Sequence, residues 1–477
     1  MKISRREFVG SSLAIGAAGS VARSGVVLGA PGKGAAAYEA ALGSKLDYKG
    51  TRRYELYRIG TIWNGRKPKR YPLAIVMAEN QNDVIAAVKL ARARGWKVSI
   101  ASGGHSFTSS FLRNDALLIN LSHMRQLDVH AQSMTATISP STLGNEMGAG
   151  LAKYGFMTPT AHGVAVGMGG FVLCGGHGWN SRVWGPGCAN LKALDVVTAD
   201  GELIHCDAQQ NQEFYWAARG AGPGFFGAAV RYEMAIHPRP TVMKGRTVTF
   251  ARDDMADALT WIRENLMTFP LLLEIAVVGR LRDGQPVLHF IGTALGYNEP
   301  EVMSALQVYD RCPILHKAIH DTGPYNDSVP HMSEAADESN PAGHAQVVDG
   351  MWTMAPASTL VPATLDLFLN HPSPRSDAYW SCWGPIRKLG DMCYSIQGNV
   401  YMSLNVVYDD GNDRKYMDYV AGAMKKLEPL AVGSQMNDEN MYGRPSARYL
   451  SAESAARLAA LQAKHDPEGR FVGYLRG

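Results

Sequence analysis

Short apolar runs separated by polar turns predict a small α/β unit in the first half of the chain. The runs YPLAIVMAE (71–79) and WKVSIA (96–101) predict strands. Between them, DVIAAVKLARARG (83–95) predicts a helix that Asn82 caps at its start and Gly95 ends. A strand, a helix and a second strand in this order are typical of an α/β unit.

Further strands continue this unit. The segments DALLINLS (115–122) and SMTATISP (133–140) predict two short apolar strands. In LKALDVVTADGELIHC (191–206), the pair Asp200-Gly201 is typical of a two-residue hairpin turn. The segment therefore predicts two antiparallel strands joined by that turn.

The pattern changes near residue 238, where glycine clusters become rarer and longer helices alternate with separate strands. The strands are predicted by TVTFARD (247–253), LHFIGTAL (288–295) and VYMSLNVVYDD (400–410). These elements predict a second, α+β domain with an antiparallel sheet. The tail 452–466 predicts a helix that Ser451 starts and Pro467 stops.

Size and charge limit the classes of protein that fit. A chain of 477 residues with 46% apolar and 19% charged residues is typical of a soluble globular protein of two domains. The net charge is +4, and before residue 30 the four cations Lys2, Arg5, Arg6 and Arg23 outnumber the single anion Glu7. No basic face for nucleic acid is therefore expected.

The opening MKISRREFVGSSLAIGAAGSVA (1–22) predicts a targeting segment. It has a basic start and an apolar run that is too short and too weakly apolar to span a membrane. Arg5, Arg6 and Phe8 resemble a twin-arginine export signal. We expect a signal segment over 1–35 and an exported protein, periplasmic or secreted, with no stable membrane association. A disordered basic tail is the alternative.

Neither the cysteines nor a spaced histidine pair predicts a metal site. The six cysteines form no C-x-x-C pair, so neither a zinc site nor a disulfide framework follows from their spacing. His316 and His320 have the spacing that binds a metal on one helix face. No third ligand accompanies them, and we expect no metal.

Three glycine clusters carry the candidate chemistry: SGGHS (102–106), GVAVGMGGFVLCGGHGW (163–179) and RGAGPGFFG (219–227). The second cluster has no G-x-G-x-x-G register, since Gly167 and Gly169 are followed by Val172, so a Rossmann nucleotide site is not expected; neither a Walker A loop nor a G-x-S-x-G elbow is present. Glycine loops let a backbone approach a flat or phosphorylated ligand closely. Ordinary turns in a glycine-rich fold are the alternative for any one cluster.

Several motifs together resemble the berberine bridge enzyme-like flavoproteins, with the FAD domain of the p-cresol methylhydroxylase type found in the vanillyl-alcohol oxidase superfamily. The motifs are ASGGHSF, INLSHM, VAVGMGGFVLCGGHGWNSRVWG, LDVVTADGEL, FYWAARGAGPGFFGAAVRYEMAIHP and RLAALQAKHDPEGRF, within residues 50–240 and 440–475. The resemblance implies an α+β fold of two domains: an FAD-binding domain over 45–240, a substrate-binding domain over 241–435, and a C-terminal segment, 436–477, that returns to the FAD domain.

The resemblance also implies an FAD cofactor and the residues that hold it. His105 would be joined covalently to the 8α-methyl of FAD. This explains why a histidine lies beside the glycine loop: the loop would bind FAD, and the histidine would tether it. The remaining implied cofactor-binding residues are Ser102, Gly103, Gly104, Ser106, Val166, Gly167, Gly169, Gly170, Gly175 and Gly178. Gly163 stands where many relatives carry a second, cysteinyl link, so a single covalent bond is expected.

Catalytic residues are less clearly marked. Flavin oxidation of an alcohol or amine needs a group that takes the proton from oxygen or nitrogen. Phe107 has no hydroxyl where some relatives carry a tyrosine, and in GPIRKLGDMCYSIQGN (384–399) Asp391 is the only carboxylate. We expect Tyr401 and Asp391 to be the catalytic candidates. Asn399 and Gln397 are polar neighbours. The resemblance also implies that Asn437, in SQMND, stands where relatives often carry a tyrosine-x-asparagine pair, with Gln435 in place of the tyrosine.

The expected function is oxidation of an alcohol, sugar or phenolic substrate by hydride transfer to FAD. The resemblance implies that the size of Val166 governs access of oxygen, so O₂ is the expected acceptor and H₂O₂ the expected product. The partners are therefore a small-molecule substrate and O₂. The alternatives are a dehydrogenase that uses another acceptor, an amine or alkaloid oxidase of the same fold, and a flavin-binding protein without turnover.

Overall fold

The computed structural model describes residues 34–338 and 340–475. The predicted signal segment lies almost wholly outside these residues. The helices are α1 Ala35–Leu42, α2 Arg52–Gly60, α3 Gln81–Arg94, α4 Gly144–Ala152, α5 Met168–Leu173, α6 Ser181–Trp184, α7 Gln212–Ala218, α8 Met255–Asn265, α9 Glu299–Leu306, α10 Val329–Asp337, α11 Ala357–Leu369, α12 Asp413–Leu427 and α13 Ala452–His465. In this part of the chain, no helix is both long and apolar enough to cross a membrane.

The strands form two sheets in the first domain, one large sheet in the second and a two-stranded pair, β7 with β11. They are β1 Leu46–Tyr48, β2 Ala74–Met77, β3 Lys97–Ala101, β4 Ala116–Asn120, β5 Leu127–His130, β6 Thr135–Ile138, β7 Phe156–Met157, β8 Leu191–Val197, β9 Leu203–Asp207, β10 Ala228–Ala235, β11 His237–Pro238, β12 Val242–Ala251, β13 Leu273–Arg282, β14 Gln285–Gly296, β15 His320–Asp321, β16 Tyr325–Asn326, β17 Ala345–Thr353, β18 Asp377–Cys382, β19 Val400–Tyr408 and β20 Ala431–Gly433.

The first sheet has the order β1-β2-β4-β3 and confirms the predicted α/β unit. Strands β2, β3 and β4 are parallel, and α3 packs on them. Gly95 ends α3 in the left-handed conformation, as predicted. The predicted N-cap at Asn82 is wrong: the side chain of Asn80 caps the helix by accepting hydrogen bonds from the N–H groups of Asn82 and Asp83. Two asparagines stand close together here, and the sequence pattern did not separate them.

The second sheet, β5-β6-β10-β8-β9, is antiparallel and completes the first domain. The predicted hairpin is confirmed, because β8 pairs with β9 and Gly201 adopts a positive φ of 78° in the turn. The C-terminal segment returns to this domain. The N–H of Val98 donates to the carbonyl of Arg470 at 2.7 Å, and the N–H of Val472 donates to the carbonyl of Val98 at 2.9 Å.

The second domain is built on an antiparallel sheet whose strands differ in length. Their order is β15-β12-β14-β13-β18-β19-β17-β20, and β16 pairs with β12. This confirms the α+β class with an antiparallel sheet. Helices α8 and α11 pack together and cover one face of the sheet. The predicted terminal helix is also confirmed as α13, whose N-cap is Ser451.

Alternation along the central strands divides the residues of this sheet between its two faces. In β19, Val400, Met402 and Leu404 belong to the core under the helices, and the odd-numbered residues between them face the opposite side. In β13, Leu273, Ile275 and Val277 are in that core, and the even-numbered residues from Glu274 to Arg280 face away from it. The central strands therefore direct their second face toward the first domain.

The two histidines considered for a metal do not share a helix face. His316 lies in a short 3₁₀ turn, and His320 lies in β15, where it pairs with Thr249. Among the described residues, no group of three or more His, Cys, Asp or Glu side chains is arranged to hold a metal ion.

Candidate functional site

Two glycine loops touch each other at the centre of the first domain. One follows β3 and carries Gly103, and the other precedes α5 and carries Gly167. A Cβ atom on Gly103 would lie 2.6 Å from the backbone nitrogen of Gly167, and one on Gly167 would lie 2.8 Å from that of Gly103. Glycine is required at both positions because two backbones pass at this distance.

Glycine is also required at position 104, because of its backbone conformation and a close carbonyl group. Its φ is +72°, and a Cβ there would lie 1.9 Å from the carbonyl oxygen of Thr61. The carbonyl of Gly104 in turn accepts a hydrogen bond from the N–H of Trp63 at 3.1 Å. The chain beside His105 is therefore held in a conformation that another residue would strain.

We expect Gly104→Ala to destabilise the protein, because the left-handed conformation costs about 1–2 kcal/mol and the clash with Thr61 adds to it. The midpoint of thermal unfolding measures this loss. Gly148→Ala is the matched control: a Cβ at Gly148, inside α4, meets nothing within 4 Å, and alanine favours helix more than glycine does. Equal unfolding temperatures for the two variants would contradict the assignment.

His105 lies at the cavity and packs on Trp63. The imidazole and indole rings are stacked, with centroids 4.3 Å apart and an angle of 23° between their planes. Both residues line a cavity of about 520 Å³ between the glycine loops and the free face of the large sheet. This volume lies within the usual range of small-molecule sites.

The structure brings most of the expected cofactor-binding residues to this cavity. Those that line it are Ser102, Gly103, Gly104, His105, Ser106, Val166, Gly167, Gly169 and Gly170. Gly175 and Gly178 do not line it. A Cβ on Gly175 would lie 2.9 Å from the ring of Tyr394, and one on Gly178 would lie 1.8 Å from the carbonyl oxygen of Thr160. These two glycines serve close packing behind the cavity wall.

Three arginines hold the loop that follows His105. Arg66 donates to the carbonyl of Phe107 at 3.1 Å, Arg70 donates to the carbonyls of Thr108 and Ser109, and Arg113 donates to the carbonyl of Ser110 at 2.7 Å. Burial, with the nearby charges of Arg66 and Arg113, lowers the pKa of Arg70 to about 10. Since guanidinium groups bind these carbonyls from one side, the loop is fixed where it carries His105 to the cavity.

The segment that carries Asp438 is tied to the same loop. Ser434 donates to the carbonyl of Gly350 in β17 at 2.6 Å. The hydroxyl of Thr108 donates to the carboxylate of Glu439 at 2.5 Å. Asp438 is therefore held between the large sheet and the loop after His105.

A phenol and a carboxylate meet at the cavity. The hydroxyl of Tyr401, on β19, donates to Oδ2 of Asp438 at 2.9 Å, and the amide of Gln435 donates to the same oxygen at 2.5 Å. Burial raises the pKa of Tyr401 well above 10, and the Asp438 charge adds to this effect. Burial and the charge of Asp349 raise the pKa of Asp438 above its ordinary value. Tyr401 is therefore a neutral donor, and Oδ2 of Asp438 accepts its hydrogen bond.

A second polar pair bridges the two domains. Nε2 of His162, on the second glycine loop, lies 2.5 Å from Oε1 of Glu274 on β13, and both residues line the cavity. Burial lowers the pKa of His162, but the Glu274 carboxylate and Asp438 outweigh it and raise the pKa above its ordinary value. This pair fixes the glycine loop to the sheet.

Of the two catalytic candidates from the sequence, the structure brings only Tyr401 to the cavity. Asp391 is exposed, and its carboxylate accepts from Trp216 at 2.8 Å and from Arg457 at 3.0 Å. This ion pair lies on the surface, away from the cavity lining. Asp391 therefore does not contribute to the site.

Sequence reasoning missed Asp438, His162 and Glu274. Asp438 follows Asn437 in a segment that the sequence had marked, so the signal was one residue away. The side chain of Asn437 instead accepts from the N–H of Gly176 at 3.3 Å. His162 and Glu274 lie 112 residues apart, and no local pattern joins them.

The residues at the cavity fit FAD. The facing backbones of Gly103 and Gly167 form a cradle that Cβ atoms would fill, which suits a ligand that backbone N–H groups hold. His105 offers an imidazole at one end of the same cavity. A backbone cradle, a histidine and a polar pair at the sheet thus face one cavity that has room for a flavin.

Comparisons with known proteins agree with a flavin site. Residues 72–207 match the FAD binding domain family. The chain is 33% identical over 426 residues to the FAD-linked oxidoreductase nodO of Hypoxylon pulicicidum, and the match covers 86% of this chain and 92% of that relative. The chain belongs to the FAD-linked oxidoreductases.

Solved structures share the fold. The 6-hydroxy-D-nicotine oxidase of Arthrobacter nicotinovorans superposes with a TM-score of 0.79 at 21% identity, covering 89% of this chain and 96% of that one. Berberine bridge enzyme from Eschscholzia californica superposes with a TM-score of 0.77 at 15% identity, covering 93% and 98%. The protein is thus an FAD-dependent oxidoreductase.

Proposed function

We propose that this oxidoreductase oxidises a hydroxyl group of an alcohol, sugar or phenolic substrate and passes the electrons to O₂, forming H₂O₂. FAD, when bound, accepts the hydride, and we propose that His105 forms its covalent link. We also propose export through the twin-arginine pattern at Arg5 and Arg6. The observation that supports the reaction is the hydrogen bond from Tyr401 to Asp438 in the cavity that His105 lines.

Tyr401 and Asp438 would move the proton of the substrate hydroxyl. Tyr401 accepts that proton at its phenolic oxygen while it gives its own proton to Oδ2 of Asp438. The raised pKa of Tyr401 keeps it protonated at neutral pH, so it needs the carboxylate as the final acceptor. Gln435 donates to the same oxygen and fixes its position.

Amine oxidation is the second candidate, and the fold of 6-hydroxy-D-nicotine oxidase supports it. A panel of alcohols, sugars, phenols and secondary amines, mixed with the holoenzyme without oxygen, tests both. Bleaching of the flavin absorbance by alcohols or sugars supports the proposal. Bleaching by amines alone would contradict it, and bleaching by none would contradict both.

Oxygen as the acceptor is tested at Val166, which lines the cavity beside Gly167. We expect Val166→Ile to slow oxygen consumption about tenfold, because one more methylene narrows the approach of O₂, with anaerobic bleaching unchanged. An oxygen electrode measures the first rate and stopped-flow absorbance the second. Val164→Ile, two residues away and outside the cavity lining, is the control. No difference between the variants would contradict the role of Val166.

A further inference from the structure

On the free face of the large sheet, side chains of β18 and β19 form a row that leads away from Tyr401. Tyr401 pairs with Ser381, and Ser403 pairs with Tyr379, in neighbouring strands β19 and β18. Asn405 of β19 pairs with Asp377 of β18. The next residue of β18, Ala378, pairs with Gly279 of β13, the residue before Arg280. Asn405 and Arg280 therefore stand at the same level, roughly 13 Å along the strands from Tyr401.

Arg280 lines the cavity at that level. Its Nε atom is buried and makes no hydrogen bond to any described residue. Among the described residues, Glu338 supplies the ion pair to Arg280; its carboxylate lies 3.9 Å from Nη1 and is 73% exposed. That separation exceeds a hydrogen bond, so Glu338 makes no hydrogen bond to the guanidinium.

The other carboxylates of the cavity have partners of their own. Glu274 bonds to His162 at 2.5 Å, and Asp327 bonds to His331 at 2.7 Å. Asp438 accepts from Tyr401. On α10, Asp337 accepts from the N–H of Val164 at 3.2 Å, which places it against the glycine loop. Asp377, on β18 at the level of Arg280, accepts from Asn405 at 2.7 Å. Among the described residues, none of these carboxylates forms an ion pair with Arg280.

Between Tyr401 and Arg280 the wall is polar on one side and apolar on the other. The polar side is formed by Ser381, Tyr379, Ser403 and Asn405 of β18 and β19, and the apolar side by Ala276, Val278 and Ile291 of β13 and β14. A substrate that lies along this wall meets hydroxyl groups over its length and a cation at its far end.

We propose that the substrate is a hydroxylated molecule with a carboxylate at the end remote from the hydroxyl that is oxidised, and that Arg280 binds this carboxylate. The assignment of the oxidised end rests on the proposed function. The anion pairs with the guanidinium of Arg280, and the hydroxyl row of β18 and β19 holds the body. Guanidinium and carboxylate are complementary in charge and shape.

Calorimetric titration of the holoenzyme tests this without turnover. Two pairs of probes are used: 4-methylbenzoate with its methyl ester, and glucuronate with its methyl ester, which represent an aromatic and a sugar body. We expect at least one acid to bind about tenfold to a hundredfold more tightly than its ester. Arg280→Gln should abolish this advantage, and Arg280→Lys should retain part of it. Arg282→Gln, exposed on the same strand and outside the cavity lining, should leave it unchanged.

Equal binding of both acids and their esters, or an advantage that survives in Arg280→Gln, would overturn the proposal. Anaerobic bleaching separates this result from the proposed function. If neutral alcohols bleach the flavin as well as 4-(hydroxymethyl)benzoate does, the proposed function stands and the carboxylate is not recognised. If the acids bind through Arg280 and no hydroxyl compound bleaches the flavin, the anion site stands and the oxidation of hydroxyl groups fails.

Discussion

Replacing His105 by alanine is expected to release the flavin from the polypeptide. In the wild type the yellow colour should remain with the acid-precipitated protein, whereas in His105→Ala it should pass into the supernatant or be absent. The physical reason is that the imidazole stacked on Trp63 at the cavity is the group that would form the tether. We also expect turnover to fall about tenfold or more, because the unlinked cofactor is held less firmly and accepts electrons less readily.

His123→Ala is the matched control for this experiment. His123 is exposed and lies outside the cavity lining, so its removal should leave the colour with the pellet. The absorbance of pellet and supernatant near the visible flavin band gives the measurement. Colour that stays with the His105→Ala pellet would exclude His105 as the attachment site.

The second large effect is expected at Asp438. Asp438→Asn keeps the shape of the side chain but cannot accept a proton, so kcat should fall by a factor of about 10² to 10⁴. The raised pKa of Asp438 has a further consequence. Because the acting form is the carboxylate, wild-type activity should rise with pH through a pKa above that of an ordinary aspartate. In Asp438→Asn this loss of activity at low pH, the acid limb of the pH profile, should be absent. Initial rates across a pH series measure both.

Asp391→Asn is the control for Asp438. Its carboxylate is exposed and paired with Arg457, so we expect unchanged kcat and an unchanged acid limb. The comparison separates the carboxylate that the structure places at Tyr401 from the one that the sequence favoured. A large loss in Asp391→Asn, with little loss in Asp438→Asn, would contradict the site described above.

Local patterns sufficed for much of the fold. The hairpin β8–β9 was predictable because Asp-Gly turns specify their strands locally, and α13 was predictable because Ser451 caps it and Pro467 follows it. The cradle was also predictable, since a glycine requirement is visible in the sequence itself. Gly175 and Gly178 show the limit of that signal, because a glycine needed for packing against Tyr394 or Thr160 looks the same as one that lines a cavity.

The polar residues of the site were less predictable, for two physical reasons. The pair His162–Glu274 forms only when the domains meet, so its members lie far apart in the chain. The strand VYMSLNVVY is buried along its whole length, since helices cover one face and the FAD-type domain covers the other. Burial on both faces therefore hides which of its residues line the cavity. Tyr401 was named as a candidate, but its partner Asp438 was not.

Peptide mass mapping of the wild-type holoenzyme tests the central claim most directly. The protein is digested after denaturation, and the peptides that absorb in the visible region are sequenced by mass spectrometry. The account predicts a single flavin peptide that contains His105, with the mass of that peptide increased by one FAD. A flavin peptide without His105, or complete loss of flavin on denaturation, would contradict it.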